Sequence, residues 1–76
     1  MKELVEVLAR ALVDSPEAVE VKQVEGDRSV IFEVRVAPED TGKLIGKQGR
    51  IVKAIRTVVK AVAAKEGKRA VVEVLP

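Results

Sequence analysis

The sequence predicts a single α+β domain with the element order α-β-β-α-α-β. Apolar residues recur at helical spacing in three stretches, and β-branched residues alternate with polar ones in three others. The 76 residues suffice for one small domain, and a chain of that size buries only about 60% of its unfolded surface. We expect residues 1–76 to form this domain around an aliphatic core, because Phe32 is the only aromatic residue.

The first half of the chain predicts a helix followed by a β-hairpin. Apolar residues at helical spacing between Lys2 and Val13 are Leu4, Val7, Leu8, Ala11 and Leu12. This helix should end at Asp14-Ser15-Pro16, since the residue before a proline is pushed out of the helical region. Two stretches rich in β-branched residues, 18–24 and 29–36, flank a short turn that contains Gly26. They predict an antiparallel hairpin.

The second half predicts two helices and a last strand. Pro38 suits the first turn of a helix that continues to Ile45, because its missing N–H costs nothing there. A third helix should run from about Arg50 to Lys65 and end at Gly67, a residue type common at helix C-termini. Residues 70–75 alternate as a final strand.

The third helix has a wide apolar stripe. Its members are Ile51, Val52, Ile55, Val58, Val59, Val62 and Ala63, with Ala54 and Ala61 at one side. Together they span roughly 200°, more than the ~100° that packing against one sheet requires. Either the alanines are surface helix formers, or this edge, with Ala54, Val58 and Ala61, is a contact between copies in a homodimer.

A glycine-containing turn lies between the second and third helices. Gly46 and Gly49 allow unusual backbone angles and close approach, so amide N–H groups can point outward. The first N–H groups of the following helix and its dipole face the same space, which favours an anion. The glycines could instead be ordinary helix ends. The charge favours the anion site over that alternative, because residues 43–60 hold six cations and no acid: Lys43, Lys47, Arg50, Lys53, Arg56 and Lys60.

The charges of the chain are divided between its halves. Residues 1–40 hold five cations and ten anions, a net −5, and residues 41–76 hold nine and two, a net +7, which sum to the total of +2. Such asymmetry indicates a polyanionic partner for the basic half, with nucleic acid the first candidate. The chain has no cysteine or histidine, so we expect no disulfide, metal or cofactor and no enzyme activity. No apolar run is long enough to span a membrane, and we expect a cytoplasmic protein.

The residues from Ala37 to Arg56 carry a family resemblance. The run Leu44-Ile45-Gly46-Lys47-Gln48-Gly49-Arg50-Ile51 resembles the I-G-x-x-G core of a KH domain. With a helix and hairpin before it and a strand after it, the chain resembles the type II (bacterial) KH fold. That resemblance implies a three-stranded mixed sheet with the helices packed on one face. At this length the chain is similar to the small stand-alone RNA-binding KH proteins of the KhpA type.

The resemblance also implies a function and partners. Proteins of this type bind single-stranded RNA, self-associate, and pair with a larger KH protein of the KhpB/Jag type linked to cell elongation and division. A post-transcriptional regulator or RNA chaperone is the corresponding expectation. By motif, the RNA-binding residues would be Lys43, Ile45, Gly46, Lys47, Gln48, Gly49, Arg50 and Lys53. The loop would clamp about four nucleotides, without aromatic stacking. Binding of single-stranded DNA is a weaker variant of the same hypothesis.

Parts of the sequence are also compatible with two other classes of protein. A P-loop enzyme would need four residues between its glycines and Ser or Thr after the lysine, whereas three separate Gly42 from Gly46 and Gln48 follows Lys47. A protein–protein assembly module that uses the third helix is the alternative function. A steep loss of RNA binding with rising salt would distinguish phosphate recognition from an apolar interface.

Overall fold

A computed structural model describes residues 1–46 and 49–75. Residues 47, 48 and 76 and the side chains of Ile45, Arg50 and Ile51 lie outside this description. The elements are α1 (Lys2–Leu12), a 3-10 turn (Pro16–Ala18), β1 (Glu20–Glu25), β2 (Ser29–Arg35), α2 (Pro38–Ile45), α3 (Gly49–Lys65) and β3 (Arg69–Leu75). The predicted order α-β-β-α-α-β is confirmed. None of the described helices is long and apolar enough to cross a membrane.

The three strands form a mixed sheet with β2 at its centre. β1 pairs antiparallel with β2 across the hairpin, and β3 pairs parallel with β2. A parallel pair requires a crossover connection, and α2 and α3 provide it. The alternation predicted for β2 is present, because Val30, Phe32 and Val34 are all buried. The opposite face holds a line of Val24, Ile31 and Val71, of which Val24 and Val71 are exposed.

The core lies between the inner face of the sheet and the helices. Val5 and Ala9 of α1 and Val52, Val59 and Ala63 of α3 join the inward strand residues in one cluster. Phe32 at its centre is fully buried. Leu44 of α2 belongs to the same cluster, so all three α-helices pack on one face of the sheet, which confirms the predicted arrangement.

The end of α3 has the predicted glycine cap. Gly67 has a φ of 72°, a left-handed conformation that favours glycine. Its N–H donates to the Ala64 carbonyl at 3.0 Å, and the Lys68 N–H donates to the Ala63 carbonyl at 2.9 Å. These two hydrogen bonds form a Schellman motif, which turns the chain directly into β3.

The first strand begins later than predicted. Residues Pro16–Ala18 form a 3-10 turn, and β1 begins at Glu20 rather than at Ala18. Pro16 fixes its own φ near the helical value, and the Ala18 and Val19 N–H groups donate to the Ser15 and Pro16 carbonyls. The turn uses the N–H groups that the predicted strand would have needed.

Candidate nucleic-acid interface

The two glycines lie where α2 ends and α3 begins. Gly46 follows α2 directly, and its N–H donates to the Gly42 carbonyl at 2.9 Å. Gly49 is the first residue of α3, and its N–H donates to the Gly46 carbonyl at 3.2 Å. A Cβ at position 46 would lie 3.0 Å from the Gly42 carbonyl oxygen. This close approach explains a glycine at the first position of the turn.

The remaining predicted RNA-binding residues are placed only in part. Lys43 lies in the last turn of α2 and Lys53 in α3, both exposed. Lys47 and Gln48 lie outside the described residues. The backbones of Ile45 and Arg50 lie at the ends of their helices, but their side chains lie outside the described part of the structure. The structure thus places the helices that flank the turn, and the roles of these residues stay predictions.

A basic groove lies between α3 and the outer edge of β3. It has a volume of about 650 Å³. Its lining residues are Arg56, Lys60, Lys68, Arg69, Ala70, Val71 and Val72. With Lys53, one turn earlier on the same side of α3, these cations extend from near the glycine turn to the start of β3. We call this set, Lys53, Arg56, Lys60, Lys68 and Arg69, the basic surface.

The β3 edge adds backbone hydrogen-bonding groups to this groove. The Arg69 N–H donates to the Arg28 carbonyl, and the Leu75 carbonyl accepts from the Val36 N–H. Alternate residues of a parallel strand point their backbone groups to opposite sides. The N–H and C=O groups of Ala70, Val72 and Val74 therefore face outward, away from β2. Arg56 Nε donates to the Val72 carbonyl at 3.2 Å, so one of these acceptors already has a partner.

Two lysines around the interface form ion pairs with acids from the first half of the chain. Lys43 Nζ pairs with the Asp14 carboxylate, and Lys68 Nζ lies 3.1 Å from Glu25 Oε2. The hydrogen bond from Lys68 and its positive charge lower the pKa of Glu25. None of the ion pairs in residues 1–46 and 49–75 includes Lys53 or Lys60, which are both exposed.

A buried carboxylate holds the first turn of α2 in place. Asp40 is 1% exposed. Its oxygens accept the backbone N–H groups of Asp14 at 3.0 Å and Ser15 at 3.2 Å. Because α2 leads directly to Gly46, this contact fixes the element that precedes the turn relative to the chain leaving α1.

Part of this interface escaped the sequence-based prediction. Arg56 and Lys60 lie in the acid-free run of residues 43–60. That run was the sequence signal from which they could have been added to the predicted RNA-binding residues. Lys68 and Arg69 reach the groove only because β3 is an edge strand beside α3. No local pattern indicates that placement.

The predicted dimer residues lie on another side of α3. Ala54 and Ala61 are exposed, and Val58 is 47% exposed. At about 100° per residue they centre roughly 130° from Lys53, Arg56 and Lys60 around the helix. The two sets are therefore accessible independently.

A mixed three-stranded sheet in this element order, with a Gly-x-x-Gly turn joining two helices, is the type II arrangement of the KH domain. KH domains are a class of nucleic-acid-binding module. The family model described as "KhpA/KhpB, KH domain" matches residues 2–74. The chain belongs to this family, which is not a family of enzymes.

Curated relatives are similar to the chain over nearly its whole length. A Clostridium perfringens protein is 64% identical over 75 residues, which cover 99% of this chain and 100% of the relative. An Aquifex aeolicus protein is 48% identical over 99% of this chain and 95% of its own length. One from Borreliella burgdorferi is 45% identical, with 96% and 89% covered. All three are named RNA-binding protein KhpA. No solved structure matches the chain.

Proposed function

We propose that this protein binds single-stranded RNA, with the Gly46-Lys47-Gln48-Gly49 turn gripping the sugar–phosphate backbone. The observation that supports this most directly is the basic surface, which runs from Lys53 to Arg69 beside an open strand edge. The names of the relatives agree with this function.

The proposed roles follow from the chemistry of each part of the interface. Since the N–H groups of Gly46 and Gly49 already donate to carbonyls, other amide N–H groups of the turn and of the N-terminus of α3 would bind the phosphate oxygens. Lys43, Lys47, Arg50 and Lys53 would neutralise phosphates near the turn. The outward N–H and C=O groups of β3 would meet unstacked base edges, with the Ile45 side chain as an apolar wall. Recognition without aromatic stacking leaves affinity dependent on charge and hydrogen bonds.

The turn is tested by reversing its charge. Replacing Lys47 and Gln48 by Asp should abolish binding, because two anions would stand at the phosphate path. The matched control is Lys2→Asp with Val7→Asp on α1, which changes the net charge by the same −3. Both control positions are exposed, and Val and Asp have similar helix propensities.

The measurement is fluorescence anisotropy of a labelled single-stranded RNA at several salt concentrations. For the parent protein we expect log K to fall with log salt at about 0.7 per neutralised phosphate. The turn variant should lose binding and the α1 variant should keep it. Equal affinities for the two variants would refute the role of the turn, and a salt-independent affinity would refute phosphate recognition.

We further propose that α3 mediates assembly through Ala54, Val58 and Ala61, either in a homodimer or with a larger KH protein of the KhpB/Jag type. The exposure of Val58 favours this contact. Because these residues lie away from the basic surface, assembly and RNA binding would be compatible. Two linked clefts would raise avidity without new contacts. Such a protein would act in the cytoplasm as a post-transcriptional regulator or RNA chaperone, with a role in cell elongation and division.

Light scattering tests the assembly contact. If the parent protein assembles, the Ala61→Gln variant should have a lower mass in solution than the parent, because glutamine enlarges a small residue in the contact. Ala64→Gln, on an exposed position of α3 outside this edge, should not. The same reduction in both variants, or in neither, would exclude this edge as the contact.

A further inference from the structure

The lysines at the two ends of the interface share one arrangement. Lys43 lies before the glycine turn and pairs with Asp14, and Lys68 lies at the far end of the groove and pairs with Glu25. Both acids come from the acidic first half of the chain. Between these ends, Lys53 and Lys60 take part in none of the ion pairs of the described residues.

The position of each acid is set by the fold. The backbone of Asp14 is held by the buried Asp40 carboxylate, which also accepts the Ser15 N–H. Since Asp40 and Lys43 are one turn apart on α2, this contact brings the Asp14 side chain to Lys43. Glu25 is the last residue of β1, and the hairpin bond from the Gly26 N–H to the Ser29 carbonyl, at 2.8 Å, fixes the turn beside it.

We propose that Asp14 and Glu25 are internal competitors of RNA, which hold Lys43 and Lys68 until a phosphate replaces each carboxylate. This inference rests on the proposed function. A phosphate and a carboxylate present the same chemistry to an ammonium group, so each lysine can exchange one for the other. The two acids thereby lower affinity at the ends of the interface, whereas the exposed Lys53 and Lys60 at its centre have no carboxylate partner among the described ion pairs.

The side-chain exposures make this exchange feasible. Lys43 is 50% exposed and Asp14 68%, while Lys68 is 28% exposed and Glu25 51%. Ion pairs this open to water are weak and are screened by salt. They can therefore open for a ligand, and their opposition to binding is modest.

The test is a pair of double-mutant cycles. Asp14→Asn and Glu25→Gln should each raise affinity for a single-stranded RNA octamer by about 1.5- to 5-fold at low salt, the range expected for an exposed ion pair. The gain should shrink as salt rises. In a Lys43→Met background Asp14→Asn should gain no more than a control variant that loses an unpaired acid, and the same should hold for Glu25→Gln in a Lys68→Met background.

Matched controls separate this exchange from a general change of charge. Glu17→Gln and Glu66→Gln remove one exposed acid near Asp14 and Lys68 respectively, and neither acid forms an ion pair among the described residues. Gains equal to those of the controls, or gains above the controls that persist in the lysine-free backgrounds, would overturn the inference. If the parent binds no RNA, the proposed function fails and the inference with it. Binding by the parent with no gain in the variants refutes the inference alone.

Discussion

Asp40→Ala should be among the most destabilising substitutions in the protein, although it removes a charged residue. Asp40 is 1% exposed and accepts two backbone N–H groups from the segment that follows α1. Alanine leaves the Asp14 and Ser15 N–H groups without this partner. It also removes an acid from the first turn of α2, where the helix dipole favours one.

The size of the loss follows from the two hydrogen bonds. A hydrogen bond to a charged group contributes about 1.5–3 kcal/mol, so the two together contribute at most about 6 kcal/mol. Both N–H groups are only partly buried, and water can replace part of what is lost. We therefore expect a loss of about 2–4 kcal/mol, against a total of roughly 4–11 kcal/mol for a domain of this length.

Urea unfolding followed by circular dichroism measures this loss. With an m value of about 1 kcal/mol per molar urea, the midpoint should fall by about 2–4 M. Glu39→Ala is the matched control, because Glu39 is the exposed neighbour in the same helical turn, and it should cost less than about 1 kcal/mol. If the free energies of unfolding of the two variants differ by less than about 0.5 kcal/mol, the Asp40 contact does not stabilise the protein as argued.

Three further predictions concern backbone, core and pH, and urea unfolding measures each. Gly42→Ala should stabilise the protein by about 0.5–1 kcal/mol, because Gly42 lies within α2 and a Cβ added there would meet open space. Gly67→Ala should destabilise the protein by about 1–2 kcal/mol, because Gly67 has a φ of 72°. The same sign for both would contradict this reasoning. Phe32→Ala should cost about 3–5 kcal/mol from the centre of the core, and a loss below about 1 kcal/mol would be inconsistent with that position. Lys68 lowers the pKa of Glu25 from 4.5, so the stability from this pair is present above pH 4.5 and is lost as the pH falls below it; a parent and a Glu25→Gln variant with parallel pH profiles would exclude this linkage.

Most of the fold could be predicted from the sequence because its signals are local. The alternation at Val30, Phe32 and Val34 and the proline at position 38 act within a few residues of where they occur. Their elements are present with nearly the predicted bounds. The predicted start of β1 was wrong, and the reason is local too, since the hydrogen bonds of the 3-10 turn compete with those of a strand.

The candidate site was less predictable because its contacts join distant parts of the chain. Asp40 lies in the first turn of its helix, where an acid suits the helix dipole, but its carboxylate also binds backbone N–H groups 25 and 26 residues away. Lys68 and Arg69 follow the helix-ending glycine and reach the groove only through the strand order. A residue whose partner is set by topology carries no local signal of its role.

Ion pairs between the acidic and basic halves of the chain change the affinity for RNA that the charges alone would suggest. The net +7 of residues 41–76 overstates what an RNA strand meets, because Lys43 and Lys68 are paired with acids of the first half. Lys53, Arg56, Lys60 and Arg69 remain without a carboxylate partner among the described ion pairs. Phosphate contacts at these four residues alone would contribute about −3 to the salt slope for a single strand, and the contacts proposed for Lys47 and Arg50 would add to it. One domain should thus bind RNA weakly, and the proposed assembly through α3 would raise the affinity by linking a second domain.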